Sequence, residues 1–448
     1  MTKTKELAKK NVRSVCRKHW SELTRREIIT RGASFTSYLS LSSLFEDQNL
    51  HAQNSAVKRR LVWISMNGGW DILEVTDPKR SSTSGIDMTY DFSLAHRLGA
   101  SSERIGRWFA NLAKDNGSEI VVVRGLAMGT TSHMAGSLYM DTGILSNSGR
   151  LNVASIPAVV ASYSGDTIPV IVLSGATDIL TDRGLDPVSV VRASNLDLYQ
   201  SLYPDTAEEL SQRLLIMDHL RSSIDMSVSK VSNHDRLIEL SNAEKKVRVQ
   251  FENDVGNKLG LTDSDLAPFT TGAPAGINSG QVNNFALALK LLKNNMATCI
   301  NMGIGGFDTH SNQERRLQPL VENFDFLLNS FLNELRTSNN LDNTLIVCFS
   351  DFGRTPKVNR NNGRDHWPVG GALMMGGGLA GGRFVGATDD DLRALNVNKA
   401  TGMYDGGGEQ LNPTHLGGSV LELCLGSSIL QSRSYLQSIP ALMTLKNS

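Results

Sequence analysis

Asp308 and His310 stand two residues apart in Gly305-Gly306-Phe307-Asp308-Thr309-His310, directly after the apolar run 296–304. In extended backbone, side chains two apart share a face, so this carboxylate and imidazole could clamp one ion. Asp351 occupies the same kind of place: the apolar run Thr344-Leu345-Ile346-Val347-Cys348-Phe349 stops at Ser350-Asp351-Phe352-Gly353-Arg354-Thr355. A dozen residues later, Gly363-Arg364-Asp365-His366-Trp367-Pro368 supplies another acid and another imidazole. Carboxylate oxygens mixed with imidazoles suit a divalent cation. Taken singly, each has a plainer role. Asp308 could cap the helix that starts near 313, Asp351 could be a turn residue before Gly353, and Asp365-His366 could be a loop pair held by Arg364. Their shared position at strand ends or on adjoining loops favours one common site.

Chemistry on an ester also needs a nucleophile. Ser132 follows Met128-Gly129-Thr130-Thr131 and stands directly before an expected helix, 133–142, whose first amides can support an anion. The plainer role for a serine there is a helix cap. Thr130 and Thr131 are fallback candidates. Asp71, after Gly68-Gly69 at the end of another apolar run, either completes a metal cage or is a turn aspartate. The cluster Gly376-Gly377-Gly378 with Gly381-Gly382 invites a nucleotide reading, but it lacks a Walker lysine and a following acidic partner for ribose.

The elements that must position these residues read as strands alternating with helices. Strands are expected at 60–66, 119–123, 168–173, 296–304, 344–349 and 370–378, and helices at 102–114, 133–142, 281–295, 313–336 and 413–425. That alternation predicts an α/β fold of three layers, α/β/α, around a mainly parallel sheet. In such sheets ligands bind at the carboxyl ends of the strands, where Asp71, Ser132, Asp308 and Asp351 all fall. Between about 186 and 257 the pattern changes to charged helical sequence, a helical insertion that is either a surface hairpin or a cap over the site.

The 448 residues carry 45 Lys and Arg against 45 Asp and Glu, but the balance is uneven. Residues 1–56 hold ten basic and five acidic side chains, leaving 35 and 40 for residues 57–448. A mildly acidic main body argues against nucleic acid bound through its phosphates. In the basic leader, Arg25-Arg26 precedes a Ser/Thr-rich, weakly apolar run, Ala33 to Phe45. This reads as a twin-arginine export signal, implying the export machinery as a partner and a periplasmic or secreted destination. The run is too short and too hydroxylated to span a membrane, and a frayed cytoplasmic leader or a weak amphipathic helix is the alternative. Beyond Cys16, the three cysteines Cys299, Cys348 and Cys424 lie in apolar contexts and read as buried free thiols.

The segments 306–310, 349–356 and 363–368, with the tail 376–389, resemble the family called domain of unknown function 1501, within the alkaline phosphatase and sulfatase-like superfamily. The resemblance covers nearly everything after residue 57. It implies an alkaline-phosphatase-like domain over 57–448, in which one or two divalent ions (zinc, manganese, magnesium or calcium) activate a Ser or Thr nucleophile against a phosphate or sulfate ester. By position it implies metal ligands among Asp71, Asp308, His310, Asp351, Asp365 and His366, and a nucleophile segment at Ser132-His133. Arg354 and Arg364 are candidates to grip the anionic ester, their alternative being pairing with nearby carboxylates. In two respects the chain departs from the superfamily phosphatases, which usually space the acid-plus-His pair more widely than Asp308 and His310, and which follow the strand-end aspartate with His or Asn where this chain has Phe352. The expected function is therefore an exported metal-dependent ester hydrolase, and the rival is a binding or assembly protein that keeps the fold around a degraded site.

Overall fold

A computed structural model of the chain describes residues 57–146, 151–164, 166, 168–176, 179–180, 190–192, 211 and 259–446. All of these except residue 211 belong to the unit Asp47–Gln200 with Glu252–Ser448. The expected leader, 1–56, lies outside the described residues. So does the expected helical insertion at 186–257, apart from 190–192 and 211.

Among the described residues the central sheet has eight strands, in chain order β1 (Arg60–Met66), β2 (Ile120–Ala127), β3 (Ile168–Val172), β4 (Val190–Arg192), β5 (Ala297–Ile304), β6 (Thr344–Phe349), β7 (Val369–Gly376) and β8 (Arg383–Val385). Their spatial order is β8-β2-β7-β6-β1-β5-β3-β4. β1 pairs in parallel with β5 and β6, β3 with β5 and β4, and β8 with β2. β7 alone runs antiparallel, to both β2 and β6. The sheet is thus mainly parallel. The carboxyl ends of β2, β6, β1 and β5 and the amino end of β7 share one edge.

The strands are unbroken apolar runs because both faces of the sheet are covered. Along β1, Leu61 and Trp63 join a core with Val420, Leu421 and Val159, while Val62 and Ile64 are equally buried one residue out of step. The covering helices used below are α1 (Ala110–Asn116), α2 (His133–Thr142), α3 (Ile156–Ser162), α4 (Ser279–Lys293), α5 (Gln313–Thr337) and α6 (Pro413–Leu425). α6 packs on α2 and α3, and α5 packs on α1 and α4, giving the two outer layers. α5 faces inward through Leu317, Val321, Phe324, Leu328, Phe331 and Leu335, the three-and-four spacing of an amphipathic helix.

Two expectations change. The helix anticipated at 102–114 is confined to 110–116, because Arg104–Ile105 pairs with His96–Arg97 instead. The glycine cluster at 376–378 turns the chain at the end of β7 beside the start of β6, the edge opposite the strand-end acids. Cys299, Cys348 and Cys424 are buried and free, and burial pushes the Cys424 thiol up to about 12. Among the described residues no helix is long and apolar enough to cross a membrane.

Candidate metal centre

The strand ends are brought together by backbone. β1 leaves the sheet through Gly68 and Gly69, both at positive φ, and a Cβ on Gly69 would lie 2.7 Å from the Phe352 ring. Only glycine lets this turn lie against the segment after β6. Gly69 N–H then donates to Asp351 Oδ1 at 2.6 Å, and Arg354 donates to Gly69 O at 2.7 Å and to Gly68 O. The start of α2 reaches the same place because Gly136 has no side chain, a Cβ there falling 2.2 Å from the Asp351 carbonyl oxygen. Farther along α2, buried Asp141 accepts the indole N–H of Trp63 at 2.8 Å, tying the helix to β1. A two-residue antiparallel ladder, Gly353–Arg354 against His366–Trp367, sets His366 opposite Arg354.

On this frame three imidazoles converge on one carboxylate oxygen. Asp308 Oδ1 lies 3.0 Å from His310 Nε2, 3.4 Å from His366 Nε2 and 3.8 Å from His133 Nε2. Suitable ligand atoms of His133, Asp308 and His366 all lie within 4.8 Å of one another. Each ring is held from behind through Nδ1: His133 by Asp351 Oδ2, His310 by Asp365 Oδ1 at 2.9 Å, and His366 by the Thr131 carbonyl at 2.9 Å. Carboxylates and carbonyls only accept, so each Nδ1 carries a proton, and a ring protonated there alone presents an Nε2 lone pair on the Asp308 side. His310 Nε2 and His366 Nε2 are themselves 3.0 Å apart. Two lone pairs facing each other at that distance repel unless a cation or a proton lies with them. His133, Asp308 and His366 therefore form a group able to hold a divalent metal, with His310 Nε2 beside Asp308 and His366 as a candidate fourth donor. Asp308, His310 and His133 are between 40% and 50% exposed, so the cluster opens to solvent on one side.

Partial burial disfavours the Asp308 anion, but the hydrogen bond and charge of Arg354, with His366 and His310, outweigh it and bring the carboxyl down to about 2. Arg354 Nη2 donates to Asp308 Oδ1 at 2.6 Å. The hydrogen bond to Asp351 raises the His133 pKa above the ordinary value, against the opposing effect of burial. His310 holds Asp365 below the usual range.

Of the residues singled out in the sequence, Asp308, His310 and His366 sit in the cluster, and Asp351 and Asp365 stand one step behind it. Asp71 is elsewhere engaged. It is fully buried, with Oδ1 accepting from Leu73 N–H at 2.9 Å, and Oδ2 accepting from Gln313 at 2.6 Å and pairing with Arg364 Nε at 2.9 Å. Arg354 and Arg364 are likewise buried, their guanidinium groups spent on backbone carbonyls and on Asp308 and Asp71. That leaves neither free to grip an ester arriving from solvent. Ser132 is exposed at the N-terminus of α2, where its side chain caps no backbone amide. Phe352 is buried with its ring 4.6 Å from those of His133 and His366. His133 was not among the ligands expected from sequence. Its signal was there in the pair Ser132-His133 at a strand-to-helix turn, but its partner Asp351 is distant in sequence.

The family model for Protein of unknown function (DUF1501) matches residues 189–402, just under half of the chain. That span holds Asp308, His310, Asp351, Asp365 and His366, and leaves out Asp71 and Ser132-His133. No curated protein matches the sequence significantly. Among solved structures, the PsFucS1 sulfatase from Pseudoalteromonas sp. is 11% identical, with 91% of this chain and 76% of that one covered and a TM-score of 0.39. The alkaline phosphatase from the Antarctic bacterium TAB5 is 14% identical, covering 71% and 92% at a TM-score of 0.30. The lipoteichoic acid synthase LtaP from Listeria monocytogenes is 11% identical, covering 87% and 78% at a TM-score of 0.32. At these scores the likeness assigns no role to any residue of this chain.

Proposed function

We propose that this chain is a metal-dependent hydrolase of phosphoric or sulfuric esters, exported by the twin-arginine machinery to the periplasm or beyond. The observation that carries the hydrolase reading is the convergence of His133, His310 and His366 Nε2 on Asp308 Oδ1 at an open strand-end edge. A set this rich in imidazole suits zinc better than manganese, magnesium or calcium. A bound ion there would supply Lewis acidity, polarising an ester oxygen and easing deprotonation of a nearby hydroxyl. The ester class comes from the motif resemblance, and the export from Arg25-Arg26 and the run that follows.

The protein's own groups divide the remaining work. Asp351, Asp365 and the Thr131 carbonyl hold the three rings in the tautomer that leaves Nε2 free. Ser132 Oγ attacks phosphorus or sulfur, forming a bond to it as the ester's leaving oxygen departs with a proton, and water then releases the acid from the serine. The first amides of α2 are not capped by the Ser132 side chain and would be the groups to support the charge that develops. Two observations favour the rival reading, a binding protein without turnover: the inward-facing arginines and the apolar Phe352.

One experiment separates the two. Protein loaded with zinc or manganese is assayed on activated aryl phosphates and aryl sulfates, beside Ser132→Ala. Because Ser132 caps no amide, the substitution should leave metal content and melting temperature nearly unchanged while turnover falls by several orders of magnitude. Equal turnover in both proteins would remove Ser132 from the chemistry. No turnover in the metal-loaded parent would favour the binding protein.

A further inference from the structure

We infer that Asp351 is a positioning residue that acts through His133, so that the centre holds one ion and not two. The inference rests on the metal-centre reading above and adds to it the number of ions and the division of labour between two residues.

Both oxygens of Asp351 already receive donors from the protein. Its Oδ1 accepts Gly69 N–H at 2.6 Å and lies 3.0 Å from Ser350 Oγ, and its Oδ2 receives the His133 Nδ1 proton. The side chain is 4% exposed, behind the imidazole and away from the open mouth. Asp365 stands in the same relation to His310, and the Thr131 carbonyl to His366, so a single pattern, ring held at Nδ1 and presented at Nε2, occurs three times. A second ion beside Asp351 would need further donors. The next residue is Phe352, whose buried ring packs on both His133 and His366 and offers none.

The geometry also predicts what an isosteric change does. In Asp351→Asn the fixed Gly69 N–H requires the amide oxygen on its side, which turns the NH2 group toward His133 Nδ1. The ring can then only accept at Nδ1, so its proton moves to Nε2 and blocks the lone pair.

The test is a titration of chelator-treated full-length protein with Zn2+, followed by calorimetry and by elemental analysis after dialysis. We expect one ion per chain in the parent. Asp351→Asn should still bind one, about 10- to 100-fold more weakly. His133→Ala should also weaken binding, and in that background Asp351→Asn should cause no further loss, since its effect passes through the missing ring. Two ions per chain, one of them lost in Asp351→Asn, would overturn the inference and leave the hydrolase reading standing. A full Asp351→Asn effect in the His133→Ala background would do the same. Absence of any Zn2+ binding would overturn both. Should Asp351→Asn fail to fold by circular dichroism, the parent stoichiometry still decides between one ion and two.

Discussion

Removal of the Asp71 carboxylate probes whether the site rests on the buried pair beneath it. Asp71 and Arg364 are 0% and 1% exposed, with Nε 2.9 Å from Oδ2. In Asp71→Ala the Arg364 guanidinium loses its buried ion-pair partner, and Leu73 N–H and Gln313 Nε2 lose their acceptor. Breaking a buried ion pair from one side costs about 3–5 kcal/mol. Asp71→Asn should cost nearly as much. Donors approach both oxygens of Asp71, so either orientation of the new amide sets its NH2 against an N–H. The loss should reach the site as well. The Arg364 carbonyl accepts from Arg354 at 3.1 Å, and Gln313, which also receives the Thr309 hydroxyl at 3.0 Å, opens the helix just beyond His310. Urea unfolding followed by the fluorescence of Trp63 and Trp70, both fully buried, measures the effect. An Asp71→Asn protein within about 1 kcal/mol of the parent would refute the reasoning, since unpaired buried donors cost more than that.

Glu74 is pushed up to about 7, by burial first and the Asp71 charge second, over the opposing Arg107 and Thr89. Its folded-state pKa lies above the ordinary 4.5, so its contribution to stability is complete below about pH 4.5 and is lost as pH rises through 7. Glu74→Gln should flatten the fall in melting temperature across that window, leaving the smaller part due to Asp325, which burial raises to about 6; an unchanged slope would contradict the assignment. Phe352→Ala removes a fully buried ring that backs two of the three imidazoles, and should cost about 3–5 kcal/mol and weaken metal binding together. Loss of stability with unaltered metal affinity would show that the ring does not support the centre.

Much of the fold was legible because its signals are local. The apolar runs 60–66 and 344–349, the helix 133–142 closed by Gly143 and the helix 413–425 stand where the sequence puts them. Acids and imidazoles after such runs marked the edge that carries the site. The antiparallel direction of β7 was not legible, since a run buried on both faces reads the same either way. Nor was the inward turn of Arg354 and Arg364: nothing in Gly-Arg-Thr or Gly-Arg-Asp shows that Gly68, Gly69, Asp308 and Asp71 will satisfy them. His133 was passed over for the same reason, its role being set by Asp351, 218 positions away.

Anomalous diffraction at the absorption edge of zinc, from crystals of the zinc-loaded protein, tests the central claim most directly. The account predicts one peak per chain, in contact with Asp308 and with the Nε2 atoms of His133, His310 and His366, at about 2.0–2.2 Å. A peak bound through Asp351 or Asp71, or no peak among the three imidazoles, would contradict it.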